Sequence, residues 1–451
     1  MNNQFDHTED RHSIMRATIE PKNVPVLDVE RVTLPNGIVL LLGETHTIPA
    51  ISINAVVNTG SRYEPEEKAG LASLFGDMLD EGTLTRNAQQ IAEEIEQVGG
   101  HLQTFGGYAQ SGISTTVLKS DLDLGLKLTA DLMLEPSFPL DRFEQQRDKR
   151  LAQLKSREDD PRVVASDAFN EFVYQGHPAH RPKIGYEPTI RALTREDLSD
   201  FHKQFFVANN TIIAVVGDID KKEIKTKIEQ TFAHWSTRPD FCLPSVAEIT
   251  RQQTNYRRFI TKDKEQVNIY IGHLGVKRDN ADFYSLIVMD TILGSSPGFT
   301  SRIPRILRDE QGLAYTTFSN ITSSAGLDPG RFVAYIGTSP TNMERAINGI
   351  FTEIRRIREE LVSKEELENA IEYLTGSFVF HFETNAQIAS FLIEAEVFNL
   401  GFDYLTRYPT LIREVSREEV HRVAQRYLDP DNCTLVVAGP VDEQGRILRQ
   451  S

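Results

Sequence analysis

Apolar positions along this chain recur with two periods. Runs of β-branched and aliphatic residues bounded by turn residues predict buried strands. Thr211 to Val216 and Cys433 to Ala438 are two such runs, closed by Gly217 and Gly439. Apolar residues three and four apart predict helices. In "GLASLFGDMLDEGT" (70–83), Leu71, Leu74, Phe75, Met78 and Leu79 form one apolar stripe. Ser73, Gly76 and Asp77 stand at i, i+3 and i+4 and share another face. Gly76 is an unexpected choice, because an interior glycine costs a helix about 1 kcal/mol against alanine. Another helix is predicted from Asn87 to the stop at Gly99 and Gly100. Residues 121–134 begin with acidic groups that suit a helix N-terminus. Residues 140–158 read as a long charged helix with Phe143, Leu151 and Leu154 on its apolar side.

The pattern occurs twice. "FVANNTIIAVVGDID" (206–220) is matched in outline by "LDPDNCTLVVAGPVD" (428–442). "ISINAVVNTGSR" (51–62) is matched at nearly the same spacing by "VNIYIGHLGVKR" (267–278), and a helix follows each, the second from about 282 to 293. Two matches at nearly one offset imply two homologous domains. "STRPDFCLPSVAEITRQQ" (236–253) has prolines and weak periodicity, which suits a linker. The expected organisation is a tail over 1–23, a first domain over 24–235, a linker over 236–255 and a second domain over 256–445. Helices grouped with largely antiparallel strands make the fold class α+β.

Composition narrows the function. No run of 18 apolar residues exists among the 451, so no transmembrane helix and no membrane partner are expected. The polar start of the chain has no apolar core of a secretory signal, which suggests a cytoplasmic protein. Two cysteines without close spacing suggest neither a disulfide framework nor a cysteine-rich metal site. A net charge of -16 argues against nucleic acid and permits an acidic cavity that favours basic ligands.

The 70–83 segment resembles the active-site helix of the pitrilysin-type zinc peptidases, the inverzincins, which include the mitochondrial processing peptidase. Their pattern is roughly Gly-Leu-Ala-His-x-x-Glu-His-Met-x-x-x-Gly-Thr. Gly70, Leu71, Ala72, Met78, Gly82 and Thr83 keep the frame. Two histidines at i and i+4 present two imidazoles to one Zn²⁺, and the glutamate before the second serves as general base. The resemblance places those histidines at Ser73 and Asp77 and the glutamate at Gly76. A third ligand, a glutamate of a later helix, falls at Gln153 in "QRDKRLAQ", and another family glutamate falls at Gln146. Gln103 and Thr104 replace an Asn-Ala of the neighbouring strand. His177 and His180 in "YQGHPAHRP" match a family stretch that is not a ligand site. The resemblance therefore implies no metal and no catalytic residue in this chain.

The second half keeps what the first half loses. "LRDEQGLAYTTFS" (307–319) resembles the family's substrate-binding pair, an arginine and a tyrosine, at Arg308 and Tyr315. In the family such a tyrosine donates to the scissile carbonyl and the arginine binds a neighbouring peptide carbonyl. "LGSSPGFTSR" (293–302) reads as a flexible loop in the region of a family glycine-rich loop. The resemblance implies a non-catalytic, substrate-binding subunit of a heterodimeric metallopeptidase, with zinc held by a homologous partner and a peptide as substrate. The alternatives are a structural role like that of the bc1-complex core subunits, an active peptidase with an altered metal site, and a peptide-binding homodimer.

Overall fold

A computed structural model describes residues 28–296 and 301–448. The tail expected over 1–23 lies outside the described residues, as does the 297–300 part of the 293–302 loop. The first half supplies β1 (Val29–Thr33), β2 (Val39–Glu44), β3 (Ala50–Val57), β4 (His101–Gly106), β5 (Ser111–Leu118) and β6 (Thr211–Gly217). The second supplies β7 (Tyr256–Thr261), β8 (Val267–Leu274), β9 (Ala314–Asn320), β10 (Arg331–Thr338) and β11 (Thr434–Gly439). These make two sheets, ordered β1-β2-β6-β3-β5-β4 and β7-β11-β8-β10-β9. Apart from β1, the two orders correspond strand for strand. Each sheet has one parallel pair, β2/β6 in the first and β7/β11 in the second, and its remaining pairs are antiparallel. The fold is thus α+β, with largely antiparallel sheets packed by helices.

The helices fall where the periodicity puts them: Leu71–Met78, Ala88–Gln97, Leu122–Leu134 and Leu140–Glu158. Asn87 caps the second through a reciprocal pair with Gln90, which satisfies two orphan backbone donors. The helix expected from 282 runs over Phe283–Asp290 and continues as a wider turn, Thr291–Ser295. No helix among the described residues is long and apolar enough to cross a membrane.

Each half lends a helix to the other's sheet. Helix Pro161–Val173 of the first half lies on the second sheet, where the Phe169 ring sits 6.0 Å from that of Tyr270. Helix Asn385–Val397 of the second half lies on the first sheet. There Asn385 Nδ2 donates to the Ala50 carbonyl at 2.8 Å, and Asn54 Nδ2 donates to Ser390 Oγ at 3.0 Å. This explains why β6 is apolar throughout rather than alternating. Ile213 and Val215 face helices of their own half, while Ile212, Ala214 and Val216 join the core of the other. A strand covered on both faces has no solvent side to mark with polar residues.

Candidate functional site

The Leu71–Met78 helix starts on a buried carboxylate. Glu64 accepts from Gly70 N–H at 2.9 Å and from Ala72 N–H at 3.0 Å, meeting donors that have no partner inside the helix. Burial pushes the Glu64 carboxyl up to about 7, against those two backbone bonds. The folded pKa therefore exceeds the unfolded value of about 4.3. The stability this group contributes is complete below about pH 4.3 and is lost as pH rises through about 7. In thermal unfolding from pH 4.5 to 8, wild type should lose stability relative to Glu64→Gln as pH rises. A constant difference between the two proteins would contradict the assignment.

The apolar stripe of the helix is anchored by Phe75, whose ring lies 5.5, 4.9 and 5.0 Å from Phe138, Phe201 and Phe206. This packing keeps the helix in place whatever stands on its other face.

That other face meets the Leu140–Glu158 helix through Arg150. Arg150 Nη1 donates to Ser73 Oγ at 2.9 Å, and Nη2 donates to Asp77 Oδ2 at 2.5 Å. Arg150 is only 3% exposed. Four residues earlier, Gln146 Nε2 donates to buried Glu81 Oε1 at 2.5 Å, and Arg142 Nε donates to Glu81 Oε2 at 2.5 Å. Gln153 is exposed. On β4, Gln103 is exposed, and the Thr104 hydroxyl bonds Asp80, whose carboxyl is raised by burial. At Gly76 the backbone of β4 crosses the helix. A Cβ there would lie 2.0 Å from Gly106 N and 2.4 Å from the Phe105 carbonyl carbon. Gly76 thus keeps a structural task, which its reading as a vacated glutamate position does not provide.

These residues do not fit a zinc ion. The two positions that would carry imidazoles offer a hydroxyl and one carboxylate, both already bonded to a guanidinium. A neutral amide at Gln153 adds no thiolate, imidazole or carboxylate donor.

Arg308 and Tyr315 lie at the edge of the second sheet. Arg308 is on the wide helical turn Pro304–Glu310 and its Nε donates to Asp309 Oδ1 at 2.8 Å. That bond raises the guanidinium pKa, with a smaller contribution from the nearby Tyr315 phenol. Tyr315 is the second residue of edge strand β9 and is 92% exposed. Ser73 and Asp77 are joined through Arg150, Gly76 lies against β4, and Arg308 and Tyr315 both lie at the β9 edge of the second sheet.

Between the halves lies a cavity of about 780 Å³, lined in part by Tyr108, Tyr174, Asp328 and Arg331. None of the residues singled out as site candidates in the sequence lines it. On its wall, Asp328 of the second half accepts three hydrogen bonds from two residues of the first. Arg62 Nε and Nη2 donate at 2.6 and 2.8 Å, and the Tyr108 hydroxyl donates at 2.8 Å. His177 Nε2 lies 3.7 Å away, and His177 Nδ1 accepts from Ala179 N–H, so His177 belongs to this junction. Burial would raise the Asp328 carboxyl, but the bonds from Arg62 and Tyr108, with His177 nearby, outweigh it and hold the group far below the usual carboxylate range.

Two sheets of one plan, each packed by helices, form the fold that the following similarities assign to a peptidase family. Residues 39–186 match the family described as Insulinase (Peptidase family M16), and residues 192–374 match the Peptidase M16 inactive domain. The chain belongs to this pitrilysin-type M16 peptidase family. It is 27% identical over 432 residues to an uncharacterized zinc protease of Mycobacterium leprae, covering 96% of each chain. It is 25% identical over 370 residues to the uncharacterized zinc protease YmxG of Bacillus subtilis, covering 80% of this chain and 86% of that one. It is 25% identical over 431 residues to a probable mitochondrial-processing peptidase subunit beta of Arabidopsis thaliana, covering 91% and 78%. In fold it resembles a solved peptidase M16 inactive domain from Pseudomonas fluorescens, with a TM-score of 0.86 and 24% identity, over 94% of this chain and 100% of that one.

Proposed function

We propose that this chain is the non-catalytic, substrate-binding subunit of a heterodimeric zinc metallopeptidase of the cytoplasm. In this reading residues 24–235 form a peptidase-like domain with a degenerate metal site, and residues 256–445 form the domain that presents Arg308 and Tyr315. A homologous partner holds the zinc, and a peptide or unfolded segment is cut in the composite site. The observation that carries the reading is the contrast between the two halves. The zinc face is replaced and tied up by Arg150, while Tyr315 stands 92% exposed beside Arg308 with its hydroxyl available to a ligand. A phenol at a sheet edge can donate to a carbonyl of an extended peptide held by backbone hydrogen bonds. Its donation to charge developing on that carbonyl is the contribution to catalysis.

The test uses the reconstituted pair. Tyr315→Phe and Arg308→Ala should each lower kcat/KM of the complex about tenfold, the value of roughly one hydrogen bond. Unchanged rates in both variants would remove the assigned roles.

A further inference from the structure

We infer that Arg150 is the resident cation of the former metal position, and that its guanidinium, not only the missing ligands, bars a metal from the site. This inference goes beyond the subunit assignment and holds with or without a partner.

The geometry matches what a metal would join. The resemblance puts two ligands on the Leu71–Met78 helix, at Ser73 and Asp77, and one on the Leu140–Glu158 helix, at Gln153. Arg150 comes from that second helix, three residues before Gln153 and therefore on the same side of it. The two arms of its fork take the two positions of the first helix separately, Nη1 on Ser73 and Nη2 on Asp77. One planar cation thus ties together the two helices that an ion would tie.

The charges also match. One guanidinium faces one directly bonded carboxylate, so the pair is neutral. A guanidinium this deeply buried needs partners, because an unpaired buried charge is strongly disfavoured. Its Nε is buried with no partner, so the two arms carry its entire satisfaction. A divalent ion at this point would meet a fixed positive charge and two oxygens already engaged. Restoring ligands therefore does not restore the site while Arg150 remains.

The experiment compares two full-length variants, with zinc alone as the probe. The first carries Ser73→His, Asp77→His and Gln153→Glu and keeps Arg150. The second adds Arg150→Leu. Gly76 stays glycine in both. Zinc affinity is measured by competition with a chromogenic chelator, and metal content is measured after gel filtration. The second variant should hold one zinc per chain, about 100-fold more tightly than the first, at the top of the range seen when groups adjoining a metal are changed. Equal affinities, or no zinc in either folded variant, would overturn the inference. A double-mutant cycle with Arg150→Met and Asp77→Asn covers the case in which these variants fail to fold. The double variant should melt close to Arg150→Met alone. Additive losses would overturn the pairing.

Discussion

Gly76→Ala should destabilise the protein by about 3 kcal/mol, the upper part of the usual range for overpacking a close-packed interior. In a free helix the same change would stabilise by about 1 kcal/mol. Close approach wins here because the added Cβ would fall 2.0 Å from Gly106 N, and the atoms it meets are backbone of β4. No rotamer change can relieve such a contact. Gly106 is bound by the same crossing, since a Cβ there would lie 1.7 Å from the Ala72 carbonyl oxygen. A glutamate at 76 meets the same obstacle before its carboxylate is considered, so the general base cannot be reinstalled by one substitution. Thermal and urea unfolding of Gly76→Ala measure the effect. A raised midpoint would show that β4 yields and that the crossing is loose.

Asp328→Ala should cost about 2–3 kcal/mol, below the roughly 3–5 kcal/mol of a fully buried pair, because Arg62 and Asp328 are only partly buried. The substitution strips Arg62 of both its bonds to the carboxylate and strips the Tyr108 hydroxyl of its acceptor. These groups belong to one half and Asp328 to the other, so the effect falls on the junction. Loss of the latch should expose the 321–330 segment to limited proteolysis as well as lower the melting temperature. The pH dependence follows from the direction of the shift. The folded Asp328 carboxyl titrates below its unfolded value of about 3.9, so its contribution is present above that pH. It is lost as pH falls through the lower folded value. Asp328→Ala should therefore differ from wild type most at neutral pH and least in strong acid. A variant that melts like wild type at pH 7 would contradict the latch.

The sequence made the strands and helices of each half readable, because their apolar periods are clean and their ends carry caps. The duplication was readable from two matches at nearly one offset, and the matching strand orders show the same plan. The exchange of helices was not readable. An amphipathic pattern says that Phe169 needs a core, not which sheet supplies it. The continuous apolar run at 211–216 was the available signal that both faces of β6 are covered. Arg150 was hidden for a related reason. It lies in "DRFEQQRDKRLAQLKSRE" among other basic residues, and composition does not separate a buried arginine from a solvated one. Its position three residues before the expected ligand at Gln153 could have raised the question. Gly76 raised the right question, but a glycine's neighbour across the fold is invisible to local spacing. Arg308 and Tyr315 were singled out only through the resemblance, since a tyrosine in a strand is ordinarily buried.

The proposed division of labour is tested most directly by reconstitution. A relative with an intact His-x-x-Glu-His helix from the same genome is purified, and peptide cleavage is measured for each chain alone and for the mixture. The expected result is zinc in the relative only, a stable complex, and cleavage by the mixture well above either chain alone. Full activity of the relative by itself, unchanged when this chain is added, would contradict the account.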